Sequence, residues 1–263
     1  KLRQRTEELE ELNARLVDSE QALLRQNANK DKFFSIISHD LKSPFHSILG
    51  FAEILSGDLS DFTLEEIQSY GSHIHVGAQN LLNLLENLMQ WTRLQSGHMG
   101  YQPEPVLLRE RVGMVLSLLQ GNLITKKIHF ECSLDPEMLV YADRTHLSLV
   151  MQNLVSNAIK FTQEKGKISV YASQQDDMII ICVADNGVGI ASQRLNDLFQ
   201  IETSFSTVGP AQEKGTGLGL ILCHELVREN GGQIWAESTL SEGSRFYFTL
   251  PSSIRALAVL DED

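Results

Sequence analysis

Asn153-Leu154-Val155-Ser156-Asn157-Ala158-Ile159-Lys160-Phe161 is the stretch on which the reading of this chain turns. Asn153, Asn157 and Lys160 stand at i, i+4 and i+7, so a helix carries them on one face. Leu147, Val150, Leu154 and Ala158 fall on the opposing side. Two amide oxygens and one ammonium on a single stripe can place a divalent cation and a polyphosphate together. Mg²⁺ takes oxygen ligands and keeps waters and substrate phosphates in its shell. Taken alone, the stripe would equally describe a solvated helix face, so its neighbours decide.

Downstream, the apolar run Met178–Ala184 reads as a buried strand and leads into Asp185-Asn186-Gly187-Val188-Gly189. An acid at a strand end can accept a hydrogen bond from an exocyclic amine such as that of adenine. Glycines let backbone approach a flat ring closely. Lys214-Gly215-Thr216-Gly217-Leu218-Gly219-Leu220 then opens a helix, where clustered N–H groups suit a phosphate. Leu220 stands where a dinucleotide fingerprint needs its third glycine, and no GK[ST] follows, so neither that fingerprint nor a P-loop is present.

Upstream lies Ser38-His39-Asp40-Leu41-Lys42-Ser43-Pro44. On a helical projection His39 shares a stripe with Ser35, Lys42, Ser43 and His46, away from Ile37, Leu41 and Ile48. The imidazole should face water with one nitrogen available. Asp40 beside it can hold or accept the other nitrogen's proton, which makes imidazole a better nucleophile near neutral pH. Pro44 inside the helical pattern invites a bend.

In this order, the four segments resemble a sensor histidine kinase, over nearly the whole chain from about Lys30 to Pro251. The His39 segment resembles the H box and Asn153–Phe161 the N box. Asp185–Gly189 and Gly215–Gly219 resemble the two glycine boxes, with Phe199 and Phe205 where the family carries its lid. The resemblance implies a helical hairpin that dimerises into a four-helix bundle, followed by an α+β sandwich of the gyrase, Hsp90, histidine kinase and MutL (Bergerat) type. It implies that Asp185 recognises the adenine amine, Asn157 coordinates Mg²⁺ with help from Asn153, and Lys160 contacts phosphate. Gly187 and Gly189 would shape the adenine pocket and the backbone of Gly215, Gly217 and Gly219 would close over the triphosphate, with Phe161 and Leu218 also among the nucleotide-binding residues. His39 would take the γ-phosphoryl group of ATP with Asp40 as acid/base partner, and a response regulator receiver domain would receive it. An ATPase of the same superfamily, or a scaffold that binds ATP without transfer, is the alternative. Ser43 stands where many relatives with phosphatase activity carry Thr or Asn, which leaves reverse activity open.

The elements follow from periodicity. Leu2, Leu9, Leu16 and Leu23 recur every seven residues, predicting a coiled-coil helix over 1–30. A hairpin over 31–98 breaks at Gly57–Phe62 and resumes with Ile67, Ile74, Leu81 and Leu88 at heptad spacing. Ser96–Pro105 reads as linker by its two glycines and two prolines, with residues 99–105 joining the domains and Pro103 and Pro105 as a natural hinge. The ATP-binding domain is expected over 106–251, and 252–263 as a tail whose Ala256–Asp263 looks a little like the first strand of a receiver domain.

Composition narrows the classes. The 263 residues hold 22 Lys and Arg against 34 Asp and Glu, a formal charge of −12. That balance argues against a general nucleic-acid binder or an anionic-lipid binder. No apolar run approaches the roughly 20 residues of a membrane span, and no membrane contact by this segment is expected. Cys132, Cys182 and Cys223 are widely spaced and form no CxxC, which suits reduced thiols in a cytoplasmic protein. The remaining histidines show no metal-ligand spacing.

Overall fold

The computed structural model describes residues 13, 15–17, 20, 38, 41–95, 100–200 and 218–253. The chain divides into two compact units, Lys1–Leu81 and Leu82–Asp263. The predicted coiled coil falls outside the described residues, apart from helical positions 13, 15–17 and 20.

Two helices make the hairpin: α1 over 41–56 and α2 over Leu64–Gln95. The turn chemistry read at Gly57–Phe62 stops α1. Gly57 N–H donates to the Ile54 carbonyl at 3.2 Å and Phe62 N–H to that of Leu59 at 3.1 Å. Thr63 then starts α2 with a capping box. Its hydroxyl and N–H both reach Glu66 Oε2 at 2.8 Å, and Glu66 N–H returns to Thr63 Oγ1 at 3.3 Å. The helices run antiparallel, with Phe51 stacked on Tyr70 and His73 at centroid distances of 5.5 and 4.8 Å. Gly77 makes the closest approach. A Cβ there would lie 2.9 Å from Ile48 Cγ1, so the heptad position held by glycine sets the helix spacing.

The second unit places helices on one side of a five-stranded sheet. Its strands are β2 (His129–Ser133), β4 (Lys167–Gln175), β5 (Met178–Asp185), β6 (Ile234–Thr239) and β7 (Gly243–Pro251), ordered β2-β4-β5-β7-β6. Only the β2–β4 pair is parallel. Helices α3 (Leu108–Thr125), α4 (Arg144–Phe161) and α6 (Leu218–Glu229) cover it, and α5 is a short turn at Ser192–Leu195. The core joins Val112 and Val115 of α3, Met151, Leu154 and Val155 of α4 and Leu222 and Leu226 of α6 to Ile168, Ile181 and Phe248 of the sheet.

The linker reading needs correction. Pro103–Leu107 is a strand, β1, paired antiparallel with β3 (Leu139–Asp143). Gln102 N–H donates to Asp143 Oδ2 at 3.1 Å and Leu108 N–H to the Met138 carbonyl at 3.1 Å. Even-numbered residues therefore turn their N–H groups toward β3, and odd-numbered ones turn away. Pro103 and Pro105 sit at the odd positions, where a missing N–H costs no ladder bond. The segment read as a hinge is thus fastened to β3 and to Asp143 from Gln102 onward.

A buried polar cluster completes that fastening. Asn230 follows α6 and is 4% exposed, against His146 at 2%. Its Nδ2 donates to the Leu226 carbonyl at 2.7 Å and to His146 Nδ1 at 3.1 Å, while Oδ1 accepts Asp143 N–H at 2.8 Å. Tyr101 stacks on the His146 ring at 6.0 Å. Asn230→Ala strands the Asp143 N–H and the His146 nitrogen in the core. Urea unfolding should show a loss of about 2–3 kcal/mol, while the exposed Gln175→Ala changes stability by less than about 0.5 kcal/mol.

Candidate active site

Helix α4 is built to bury three sides and expose one. Asp143 caps it, its Oδ1 accepting N–H bonds from Thr145 at 2.8 Å and His146 at 3.1 Å. Leu147, Val150, Met151, Leu154, Val155, Ala158 and Ile159 are buried. Asn153, Asn157 and Lys160 are half-buried along the remaining stripe, as the spacing predicts. Asn153 Nδ2 donates to the Leu149 carbonyl at 3.0 Å. That bond turns its oxygen toward the start of α6, where a Cβ on Gly219 would stand 2.5 Å from Oδ1. Lys160 Nζ lies 5.0 Å from the centre of the Phe161 ring.

Asp185 ends β5 beside the end of α4. Gly187 N–H donates to its Oδ1 at 2.8 Å. Burial pushes the Asp185 carboxyl up to about 6, against the lowering pull of the Gly187 and Ser244 N–H donors. Val188 N–H donates to the Phe161 carbonyl at 3.2 Å, locking the loop to the helix end. Gly187 is required by that closeness, since a Cβ would fall 2.3 Å from the Phe161 oxygen. Gly189 has φ +68, and its Cβ would meet the Thr239 carbonyl at 2.0 Å, so conformation and space both exclude a side chain there.

Three supporting residues escaped sequence reasoning. Ser238 Oγ accepts Ile190 N–H at 2.8 Å and donates to the Gly243 carbonyl at 2.6 Å. Ser244 opposes Asp185 across the β5–β7 pair and supplies its second N–H. Gly243 brings its Cα against the Asp185 carbonyl. The only hint in the sequence was a glycine between two strands, which announces a turn and not what it supports.

The structure thus brings together Asn153, Asn157, Lys160, Phe161, Asp185, Gly187, Gly189 and Gly219. His39, Asp40, Gly215, Gly217 and Phe205 lie outside the described residues, and Leu218 opens α6. Phe199 approaches His224 of α6 with ring centroids 6.3 Å apart. His46, exposed on α1, is hydrogen bonded through Nδ1 to the Lys42 carbonyl at 2.6 Å. Among the described residues no three His, Cys, Asp or Glu side chains group as a metal site, and no helix is long and apolar enough to cross a membrane. Among the described residues, a half-buried stripe of amide and ammonium groups on α4 thus has Gly219 of α6 packed against Asn153 and the Asp185–Gly189 loop hydrogen bonded to its helix end.

Residues 29–97 match the His Kinase A (phospho-acceptor) domain, and residues 142–254 match the histidine kinase-, DNA gyrase B- and HSP90-like ATPase domain. The chain is 30% identical over 256 residues to the sensor protein GacS of Pseudomonas syringae pv. syringae, covering 95% of this chain and 28% of that protein. Among solved structures, the catalytic domain of histidine kinase ThkA is 30% identical, with a TM-score of 0.51, covering 57% of this chain and 98% of that one. ThkA in complex with the response regulator protein TrrA shares the fold over 87% of this chain and 63% of that one, at 24% identity and a TM-score of 0.69. The chain spans roughly a third of the length of the curated relatives it matches.

The raised Asp185 carboxyl has a pH signature. Its native value near 6 exceeds the unfolded value of about 3.9. The folded form therefore binds the proton more tightly, and this group destabilises the fold above pH 6 and ceases to do so below pH 4. Asp185→Asn keeps an oxygen for the Gly187 N–H and removes the charge. Denaturant unfolding should find the variant more stable than the parent by about 1–2 kcal/mol at pH 8, with the difference gone at pH 4.

Proposed function

Because the chain belongs to the sensor histidine kinase family, we propose that it transfers the γ-phosphoryl group of ATP to His39 and passes it on to an aspartate of a response regulator. The observation that best supports this reading is the junction at Phe161. There the end of the helix that carries the Asn153–Lys160 stripe meets the Asp185–Gly189 loop, Val188 N–H donating to the Phe161 carbonyl at 3.2 Å. In this reading the Asp185 carboxylate accepts from the adenine amine. Lys160 faces the phosphates, and the N–H groups at the start of α6 close on them. With Nδ2 committed to Leu149, Asn153 turns an oxygen outward. Asn157 follows one turn along, and together they would hold Mg²⁺. The ion, when bound, supplies charge neutralisation to the triphosphate.

Phosphoryl transfer asks the protein for positioning and charge balance. A His39 ring nitrogen forms the N–P bond as the bond between the γ-phosphorus and the β,γ-bridging oxygen breaks, and ADP departs. Asp40 takes the imidazole proton. The nucleophile belongs to the hairpin and ATP to the second domain, so transfer requires domain movement. Gln102 and β1 are fastened to β3 and Asp143, so Pro103 and Pro105 are not the pivot of that movement.

A homodimer and a cytoplasmic setting belong to the same reading. Phe45, Leu49 and Val76 of the hairpin are 49%, 64% and 47% exposed in the single chain. A second hairpin forming a four-helix bundle would cover such residues.

Incubation with γ-labelled ATP and Mg²⁺ tests the proposal. The chain should acquire label that is lost in acid and survives alkali, the behaviour of a phosphoramidate, and His39→Gln should acquire none. Asp185→Asn should fold yet lose ATP binding, because its amide nitrogen would present a donor to the adenine amine. ATP binding without any acid-labile label in the parent chain would overturn the kinase reading in favour of a nucleotide-binding scaffold. Label on the His39→Gln variant would overturn the assignment of the acceptor.

A further inference from the structure

Lys126 caps the end of α3, and its N–H donates to the Asn122 carbonyl at 3.1 Å. Its side chain crosses to another helix. Nζ donates to the carbonyls of Ile159 and Lys160, both at 3.0 Å, and the Lys126 carbonyl accepts Lys165 N–H at 2.9 Å. Backbone and side chain therefore grip the exit of α4 together. The two carbonyls belong to its last turn, where no intrahelical donor remains and the helix dipole places partial negative charge. From that same turn Lys160 projects. A negative helix end beside a bound triphosphate would repel it, and an ammonium on those carbonyls offsets the repulsion.

We propose that Lys126 is a positioning residue for triphosphate binding, neutralising the C-terminal carbonyls of α4 and fixing the turn that presents Lys160. This rests on the reading of the α4 stripe as the phosphate-facing surface. Lys126 touches no substrate in this scheme and acts through Lys160. The adjacent Lys127 points elsewhere, to the exposed Glu164 at 2.8 Å, and provides the control. Nothing in the sequence separates the two lysines, because the Lys126 partners lie 33 and 34 residues away.

The experiment compares Lys126→Met, Lys126→Arg, Lys127→Met and Lys160→Ala in the full chain. Affinities for Mg-ATP and for adenosine are read by displacement of a fluorescent nucleotide, and thermal midpoints are recorded alongside. Lys126→Met should weaken ATP by about tenfold and adenosine by less than about twofold, since adenosine carries no phosphate. Lys126→Arg should return ATP affinity to within about threefold of the parent, and Lys127→Met should leave both affinities unchanged. A lowered midpoint with unchanged affinities would overturn the proposal and leave Lys126 a structural cap. Equal weakening of ATP and adenosine would overturn it too, as a general loosening of the pocket. If Lys126→Met fails to fold, Lys126→Gln, which keeps one amide donor, must show the same selective loss of ATP in smaller measure, or the proposal falls. Lys160→Ala without effect on ATP would instead bring down the underlying reading of the α4 stripe, whatever Lys126 does.

Discussion

The hydrogen bond from Val188 N–H to the Phe161 carbonyl is the constraint on which the site depends. It joins the last residue of α4 to the loop that follows β5, two segments that the chain separates by a complete β-hairpin. At 3.2 Å it leaves no room for a Cβ at Gly187. Because the loop is pinned, the Asp185 carboxylate is aimed by Gly187 from one side and by Ser244 from the other. Because the helix end is pinned, Asn153, Asn157 and Lys160 are held at fixed positions relative to that carboxylate. The core supplies the force behind this one bond: seven of the eighteen residues of α4 are buried apolar side chains, and rotating the helix to disengage Phe161 would bring some of them into water.

The features that make the site useful are those that a stability-driven sequence would avoid. A half-buried carboxylate, glycines inside crowded turns and a polar stripe on an otherwise buried helix each cost something. They cluster around one junction and are offset elsewhere, by the aliphatic core and by polar groups satisfied far from the cleft. The Asp143–His146–Asn230 cluster lies near the opposite end of α4. It ties that helix to the residue after α6 and to the segment entering the domain. Several conflicts between local preference and fold thus gather at this junction, as expected when a sequence carries both a scaffold and a site.

Much of this was legible in the sequence, and the rest was hidden for physical reasons. The helical spacing read for Asn153–Phe161 and the helix opened by the Lys214–Leu220 segment correspond to α4 and α6. Asn153, Asn157 and Lys160 stand out in the sequence by spacing, and Asp185, Gly187 and Gly189 by their place after an apolar strand; the structure puts the first three on one face of α4 and the others on the loop bonded to its end. Strand β1 was hidden because two prolines in three residues look like linker. What decides is the parity of their positions against a partner strand 36–40 residues away, which puts both where the ladder asks for no N–H, and no local signal encodes it. Ser238, Ser244, Asn230 and Lys126 were hidden for a related reason. Each is an ordinary polar residue whose partner is set by sheet order or helix packing.

The same distinction bears on how movement can be transmitted. Pro103 and Pro105 suggested a hinge because proline is common in linkers. Yet a hinge needs backbone groups free to change partners, and here the even-numbered residues give their N–H groups to β3 and to Asp143. Tyr101 stacks on His146, so the bonded region extends to the first described residues of the segment. Tyr101 and Gln102 thus touch the start of α4 directly, through the His146 ring and the Asp143 carboxylate that caps the helix. These contacts join the segment that enters the sandwich to the helix that carries the stripe.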